Sequence, residues 1–141
     1  MSNTNTNRVA RFWTDLYRRE WDTVASYFGP DSEYTDVPTP ADDVARGPEQ
    51  IVRRLRIGLD PLSGIGHDVL TVVAQGDNVV TEHVEHWEWN TGERVSLPFM
   101  SMQQLRDGKI VRWWDYWDLG TLMGGAPQWW IEHIMSQSTA D

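Results

Sequence analysis

Residues 107 to 119 read D-G-K-I-V-R-W-W-D-Y-W-D-L. With the two-residue period of a strand, Trp113, Asp115 and Trp117 fall on one face. A carboxylate between two indoles on a buried face loses hydration and holds its proton more tightly, as a general acid or base near neutral pH requires. The competing arrangement is a half-exposed strand whose Trp side chains cap a core edge while Asp115 pairs with an Arg. Perturbed carboxylates gather in sites, but ion pairs imitate them.

Two further segments supply partners. Between Val79 and Trp89 the same period puts His83, Glu85, Trp87 and Trp89 on one face, and Glu82, Val84, His86 and Glu88 on the other. The second set is mostly charged and reads as solvated, so His83 and Glu85 are expected inward, about 6.5–7 Å apart. An isolated inward His is usually a satisfied core imidazole, but two inward acids are hard to explain as packing. In E-Y-T-D-V-P, Tyr34 and Asp36 alternate to one side of a short strand. The other reading of that segment is a turn in which Asp36 caps backbone N–H groups. Leu97 and Phe99, alternating with Val95 and Ser101, join Trp87, Trp89, Trp113 and Trp117 as expected substrate-binding walls.

The run His83-Val84-Glu85-His86 suggests a metal, but on a strand His86 points away. Two ligands remain where zinc or iron needs three or four. Neither a Gly-rich phosphate loop nor a G-x-S-x-G elbow is present in the sequence. The expectation is acid–base catalysis with no metal and no cofactor.

The elements that must position these residues are legible from periodicity. Val9, Phe12, Trp13, Leu16 and Tyr17 mark an amphipathic helix over 8–19. Trp21, Val24 and Phe28 mark a second, stopped by Gly29-Pro30. A short strand over 32–37 ends at P-T-P, and Gly47-Pro48 opens a helix to about Leu59. Four strands follow, His67–Gln75, Val79–Trp89, Arg94–Leu105 and Lys109–Asp118, separated by Gly76-Asp77-Asn78, Asn90-Thr91-Gly92 and Asp107-Gly108. A terminal helix carries Leu122, Met123, Trp129, Trp130, Ile134 and Met135, interrupted by Gly124-Gly125-Ala126-Pro127. Helices followed by an antiparallel meander mean α+β, with a curled sheet whose concave face the helices cover.

The chain has 141 residues and reads as one domain, with frayed ends at 1–7 and 137–141. It has no Cys and a formal net charge of −9, which fit a cytoplasmic location and argue against nucleic acid and anionic membranes. No apolar run approaches the ~20 residues of a membrane span. Nine Trp exceed what a core this size needs and suggest a pocket for a bulky apolar ligand.

The stretch from Thr81 to Leu119 resembles the limonene-1,2-epoxide hydrolase branch of the nuclear-transport-factor-2-like, or SnoaL-like, superfamily. The likeness lies in the Y-x-[ND]-x-P segment and in D-G-K-I-x-x-W-x-D-Y-x-D-L, and it covers most of the chain. It implies a cone-shaped α+β barrel around a deep apolar pocket, commonly a homodimer, in which an Asp–Arg–Asp triad helped by Tyr and Asn opens an epoxide with water. On this chain Asp115 keeps the motif carboxylate, Glu85 falls at the other triad carboxylate and Tyr34 keeps the Tyr. His83 stands for the Arg and Asp36 for the Asn. The resemblance thus implies epoxide hydrolysis, with Asp115 as base, Glu85 as acid, and His83 bridging the carboxylates. The two departures leave a dehydratase, isomerase or cyclase using Asp36, His83 and Tyr34 as the alternative. A non-catalytic ligand-binding domain is the third reading.

Overall fold

The computed structural model describes residues 2–138. The chain runs α1 (Ser2–Tyr17), α2 (Trp21–Ala25), β1 (Glu33–Asp36), β2 (Ala45–Arg46), α3 (Gly47–Leu59), β3 (Gly64–Gln75), β4 (Asn78–Glu88), β5 (Arg94–Arg106), β6 (Lys109–Trp117), α4 (Leu119–Gly125) and α5 (Gln128–Ser138). The six strands form one open sheet in the order β2-β1-β6-β5-β4-β3. β3 to β6 are an antiparallel meander, whereas β1 joins β6 in parallel. This is the α+β cone, with helices on the concave face of a mixed sheet. Among the described residues, no helix is long and apolar enough to cross a membrane.

Alternating burial fixes the inner face. Val79, Thr81, His83, Glu85 and Trp87 are buried on β4 while Glu82, His86 and Glu88 are exposed, as the period of two requires. β5 repeats the pattern from Val95 to Leu105. On β6 the phase changes. Gln104 pairs with Arg112 and Leu105 with Ile110, so Val111 is an extra residue. This bulge lets Ile110 and Trp113 both face inward, and it sets Asp115 and Trp117 on the pocket side. The two-residue turn before it uses Asp107 (φ 52°) and Gly108 (φ 77°), the positive pair a tight hairpin needs.

Several sequence boundaries move. Residues 2–7, expected to fray, form the first turns of α1, and residues 137–138 end α5; residue 1 and residues 139–141 lie outside the described residues. Asp118 is not in β6: its carboxylate accepts from the Thr121 N–H at 2.8 Å and caps α4. The terminal helix is two helices, broken at Ala126-Pro127. β2, two residues long, carried no readable signal.

The core is aromatic. Trp113 meets Phe12 and Trp13 edge-on at 5.1 and 5.6 Å and stacks on Tyr34 at 4.0 Å. A second knot joins Trp87, Trp89 and Trp130, whose indole N–H donates to the Gly58 carbonyl at 3.0 Å and ties α5 to α3. α4 is held against β5 with no spare room, since a Cβ on Gly125 would lie 2.4 Å from Val95 Cγ2. Gly125→Ala should therefore cost about 1–3 kcal/mol in urea denaturation. Val95→Ala should absorb part of that loss, making the double variant more stable than the two single losses added together.

Candidate active site

The in-register parallel pairing of β1 with β6 builds the first part of the site. Tyr34 lies beside Trp113 and Asp36 beside Asp115, one strand spacing of about 4.8 Å apart. Asp36 Oδ1 accepts from the Tyr34 hydroxyl at 2.8 Å and from the Trp117 indole at 3.1 Å. Asp115 Oδ1 accepts from the Trp113 indole at 2.6 Å and the Ser101 hydroxyl at 2.7 Å. The turn-cap alternative for Asp36 does not hold for its side chain, which these two donors engage.

Across the cone, Glu85 holds the second part. Its Oε1 accepts from the Trp87 indole at 3.0 Å, and its Oε2 from the hydroxyl of Tyr17 at the end of α1. Asp115, Glu85 and Asp36 thus each accept hydrogen bonds from neutral donors. Among the described residues no Lys or Arg forms an ion pair with any of them. Arg53 and Arg54 also line the cavity; Arg54 is paired with Asp43 at 2.5 Å, and its charge still lowers Asp36.

Burial governs the proton affinities. Desolvation raises Asp115 well above the usual carboxylate range, with the nearby Asp36 charge adding to it. Glu85 is raised to about 7, again chiefly by burial, although Tyr17 and Trp87 oppose the shift. Asp36 is raised by burial and drawn back by Tyr34 and Trp117. Burial also lowers His83 to about 4, so its imidazole is neutral. Each carboxylate charge makes its neighbours harder to ionise, so the three do not titrate independently.

The expected bridge through His83 is not formed. Its Nδ1 meets His67 Nδ1 at 3.1 Å and its Nε2 meets Ser101 Oγ at 3.1 Å. It is linked to Asp115 only through Ser101, has no bond to Glu85, and sits behind Trp13 at 4.8 Å between ring centres. A neutral buried ring lacks the charge that would hold two carboxylates. His86 faces outward and pairs with Asp68 at 2.9 Å.

A cavity of about 690 Å3 opens onto these groups, lined by Tyr34, Asp36, Glu85 and Asp115, within the size range of small-molecule sites. Its apolar walls include Trp87, Phe99, Trp113 and Trp117, as expected from sequence, and Trp13, Leu55, Leu59, Leu122, Met123, Trp130 and Ile134 from the helices. Trp89 and Leu97 are not among the lining residues: Trp89 is packed in the Trp87–Trp130 knot and Leu97 is fully buried. A second groove of about 620 Å3, between α2, α3 and α5, carries none of the three inward carboxyls. Sequence reading missed Tyr17, Ser101 as a ligand of Asp115, and His67. Tyr17 reads simply as one more apolar position of α1, and only the packing of α1 on the sheet brings it to Glu85.

Several solved structures share this fold. An LEH-like epoxide hydrolase from M. tuberculosis is similar over 99% of this chain and 98% of its own, at 21% identity and a TM-score of 0.75. A candidate SnoaL-like polyketide cyclase from a Jannaschia species gives 19% identity, 89% and 94% coverage and a TM-score of 0.78. A hypothetical protein of ketosteroid isomerase-like fold from Catenulispora acidiphila, in complex with trimethylamine, gives 18%, 84% and 90%, and 0.73. No curated protein matches the chain in sequence. At these identities the structures establish the fold and not the reaction. The SnoaL-like domain model matches residues 9–113, and this chain belongs to the SnoaL-like domain family.

Proposed function

We propose that this chain is a cofactor-independent acid–base enzyme acting on a small apolar substrate, and that its reaction is the addition of water to an epoxide. The observation that carries this reading is the trio of carboxyls facing one apolar pocket without a paired cation. Groups that make one another harder to ionise offer an acid and a base side by side. Asp36, which the nearby Arg54 charge favours as the anion, ionises ahead of Asp115, which burial and the Asp36 charge raise further, and the adjacent pair takes up the proton of a water that Tyr34 helps to hold. That water attacks an epoxide carbon. Glu85, neutral up to about pH 7, gives its proton to the oxygen as the carbon–oxygen bond breaks. The product is a diol, the Asp36–Asp115 pair is one proton richer and Glu85 one poorer. The end-to-end likeness to the M. tuberculosis LEH-like hydrolase and the W-x-D-Y-x-D motif support the same choice.

A second reading is favoured by one feature, Asp36 bonded to Tyr34. A carboxylate beside a phenol suits removal of a carbon-bound proton, as in an isomerase, dehydratase or cyclase. If the pocket only stores a ligand, neither reaction occurs. A cytoplasmic location and a homodimer belong to the same reading.

Incubation with a panel of small epoxides in oxygen-18 water should give singly labelled diol. Asp115→Asn and Glu85→Gln should each lower kcat/KM by roughly a hundredfold or more while remaining folded. Full activity in Asp115→Asn would refute the mechanism, and solvent deuterium at carbon in recovered substrate would favour the second reading.

The raised Glu85 pKa also has a sign in stability. The folded state binds the extra proton between the ordinary value of 4.5 and about 7, so this contribution is present below that window and is lost as pH rises through it. Its size is on the order of 3 kcal/mol. His83, shifted down, acts in the opposite sense between about 6.5 and 4, so the difference between wild type and Glu85→Gln isolates the effect. Urea midpoints should show wild type losing stability relative to Glu85→Gln as pH rises; parallel curves would contradict the buried, protonated Glu85.

A further inference from the structure

Asp115 is 3% exposed, and besides its pocket side it has one other hydrogen-bonded way out. From Asp115 Oδ1 the chain of contacts runs to Ser101 Oγ at 2.7 Å, from Ser101 Oγ to His83 Nε2 at 3.1 Å, and from His83 Nδ1 to His67 Nδ1 at 3.1 Å. Ser101 and His83 are each 1% exposed, whereas His67 is half-buried on β3, the edge strand of the sheet. We propose that Ser101, His83 and His67 form a proton relay that connects the Asp115 carboxyl to solvent at the β3 edge, so that Asp115 can release a proton while the pocket is still filled.

Every member can donate and accept, so the chain has two self-consistent directions. With Asp115 neutral, its O–H donates to Ser101, Ser101 donates to His83 Nε2, and His83 Nδ1–H donates to His67 Nδ1, leaving His67 Nε2–H toward solvent. When water takes the proton from His67 Nε2, the His83 Nδ1 proton moves to His67 Nδ1, the Ser101 proton to His83 Nε2, and the Asp115 proton to Ser101. One proton has left, one carboxylate has formed, every hydrogen bond is remade in the opposite sense, and no imidazolium forms. That last point suits the setting, because burial holds both rings below their ordinary basicity. An Arg at position 83 could not relay in this way, since it has no acceptor.

The groups around the relay leave it intact. Tyr17 of α1 lies over His67 at 4.4 Å and bonds Glu85, not the imidazole. Trp13 of α1 packs at 4.8 Å on His83 and Phe99 of β5 at 5.5 Å. Asp68 and His86, whose charges reach His67, are bonded to each other. Glu85, opposite His67 in the ladder, is occupied by Tyr17 and Trp87.

The relay rests on the reading of Asp115 as the acid–base carboxyl, and two readouts separate the claims. In the full chain labelled with nitrogen-15 histidine, long-range proton–nitrogen NMR should find His83 neutral throughout. It should change from the Nδ1–H to the Nε2–H tautomer as Asp115 ionises, and Asp115→Asn should abolish the change. A tautomer that never changes, or that changes equally in Asp115→Asn, overturns the relay, whether or not any substrate turns over. With a substrate in hand, His67→Ala should lower kcat about a hundredfold with little change in KM, while the first turnover keeps its rate, and added imidazole should restore kcat. An unchanged kcat in His67→Ala, or a first turnover slowed as much as the steady state, overturns it. Absence of turnover in wild type together with an intact tautomer switch would refute the hydrolase reading and leave the relay standing.

Discussion

Three carboxyls are held around an apolar cavity by neutral donors alone, and that constraint governs the rest of the site. An Arg between two carboxylates would fix both as anions. Tyr34, Trp117, Trp113, Ser101, Trp87 and Tyr17 instead each give one hydrogen bond without a charge. Such donors favour the ionised form enough to keep a buried carboxyl satisfied, but not enough to cancel desolvation, so Glu85 ends near 7 and Asp115 well above its usual range. Proton affinity is thereby poised rather than fixed, which is what acid–base chemistry near neutrality demands.

Position is secured by features unrelated to the chemistry. The bulge at Val111 shifts the phase of β6, and without it the inward Ile110 would bring Arg112, Trp114 and Tyr116 to the pocket in place of Trp113, Asp115 and Trp117. The parallel addition of β1 then places Asp36 next to Asp115 in register. Four indoles serve twice, since Trp87, Trp113 and Trp117 each wall the cavity with their rings and bond a carboxyl with their N–H, while Trp13 walls the cavity and covers His83. The excess of Trp in the composition is thereby accounted for in part by the site.

Much of this was legible in the sequence because period-two burial is a local property. The inward set on β4, the Trp113–Asp115–Trp117 face, and the pairing of Tyr34 with Asp36 on one side all follow from alternation. What escaped reading was non-local. Tyr17 looks like any apolar position of α1 until the helix is laid on the sheet. His67 gains meaning only from its ladder pairing with Glu85, which brings its ring to that of His83, and the Ser101 hydroxyl is invisible among the apolar residues of β5. Trp89 and Leu97 were assigned to the pocket because alternation tells which side a residue faces, not whether cavity or helix lies there. The expected bridging role of His83 failed for an energetic reason: burial removes the positive charge that the role requires.

The sharing of protons in this trio is measured directly by carbon-13 NMR of the Asp and Glu carboxyl carbons, assigned through Asp36→Asn, Glu85→Gln and Asp115→Asn. The prediction is that Glu85 titrates near 7 and Asp115 well above the ordinary carboxylate range, and that removing either Asp of the adjacent pair lowers the pKa of the other. Three independent titrations near the usual carboxylate value, unmoved by substitution of a neighbour, would contradict the account.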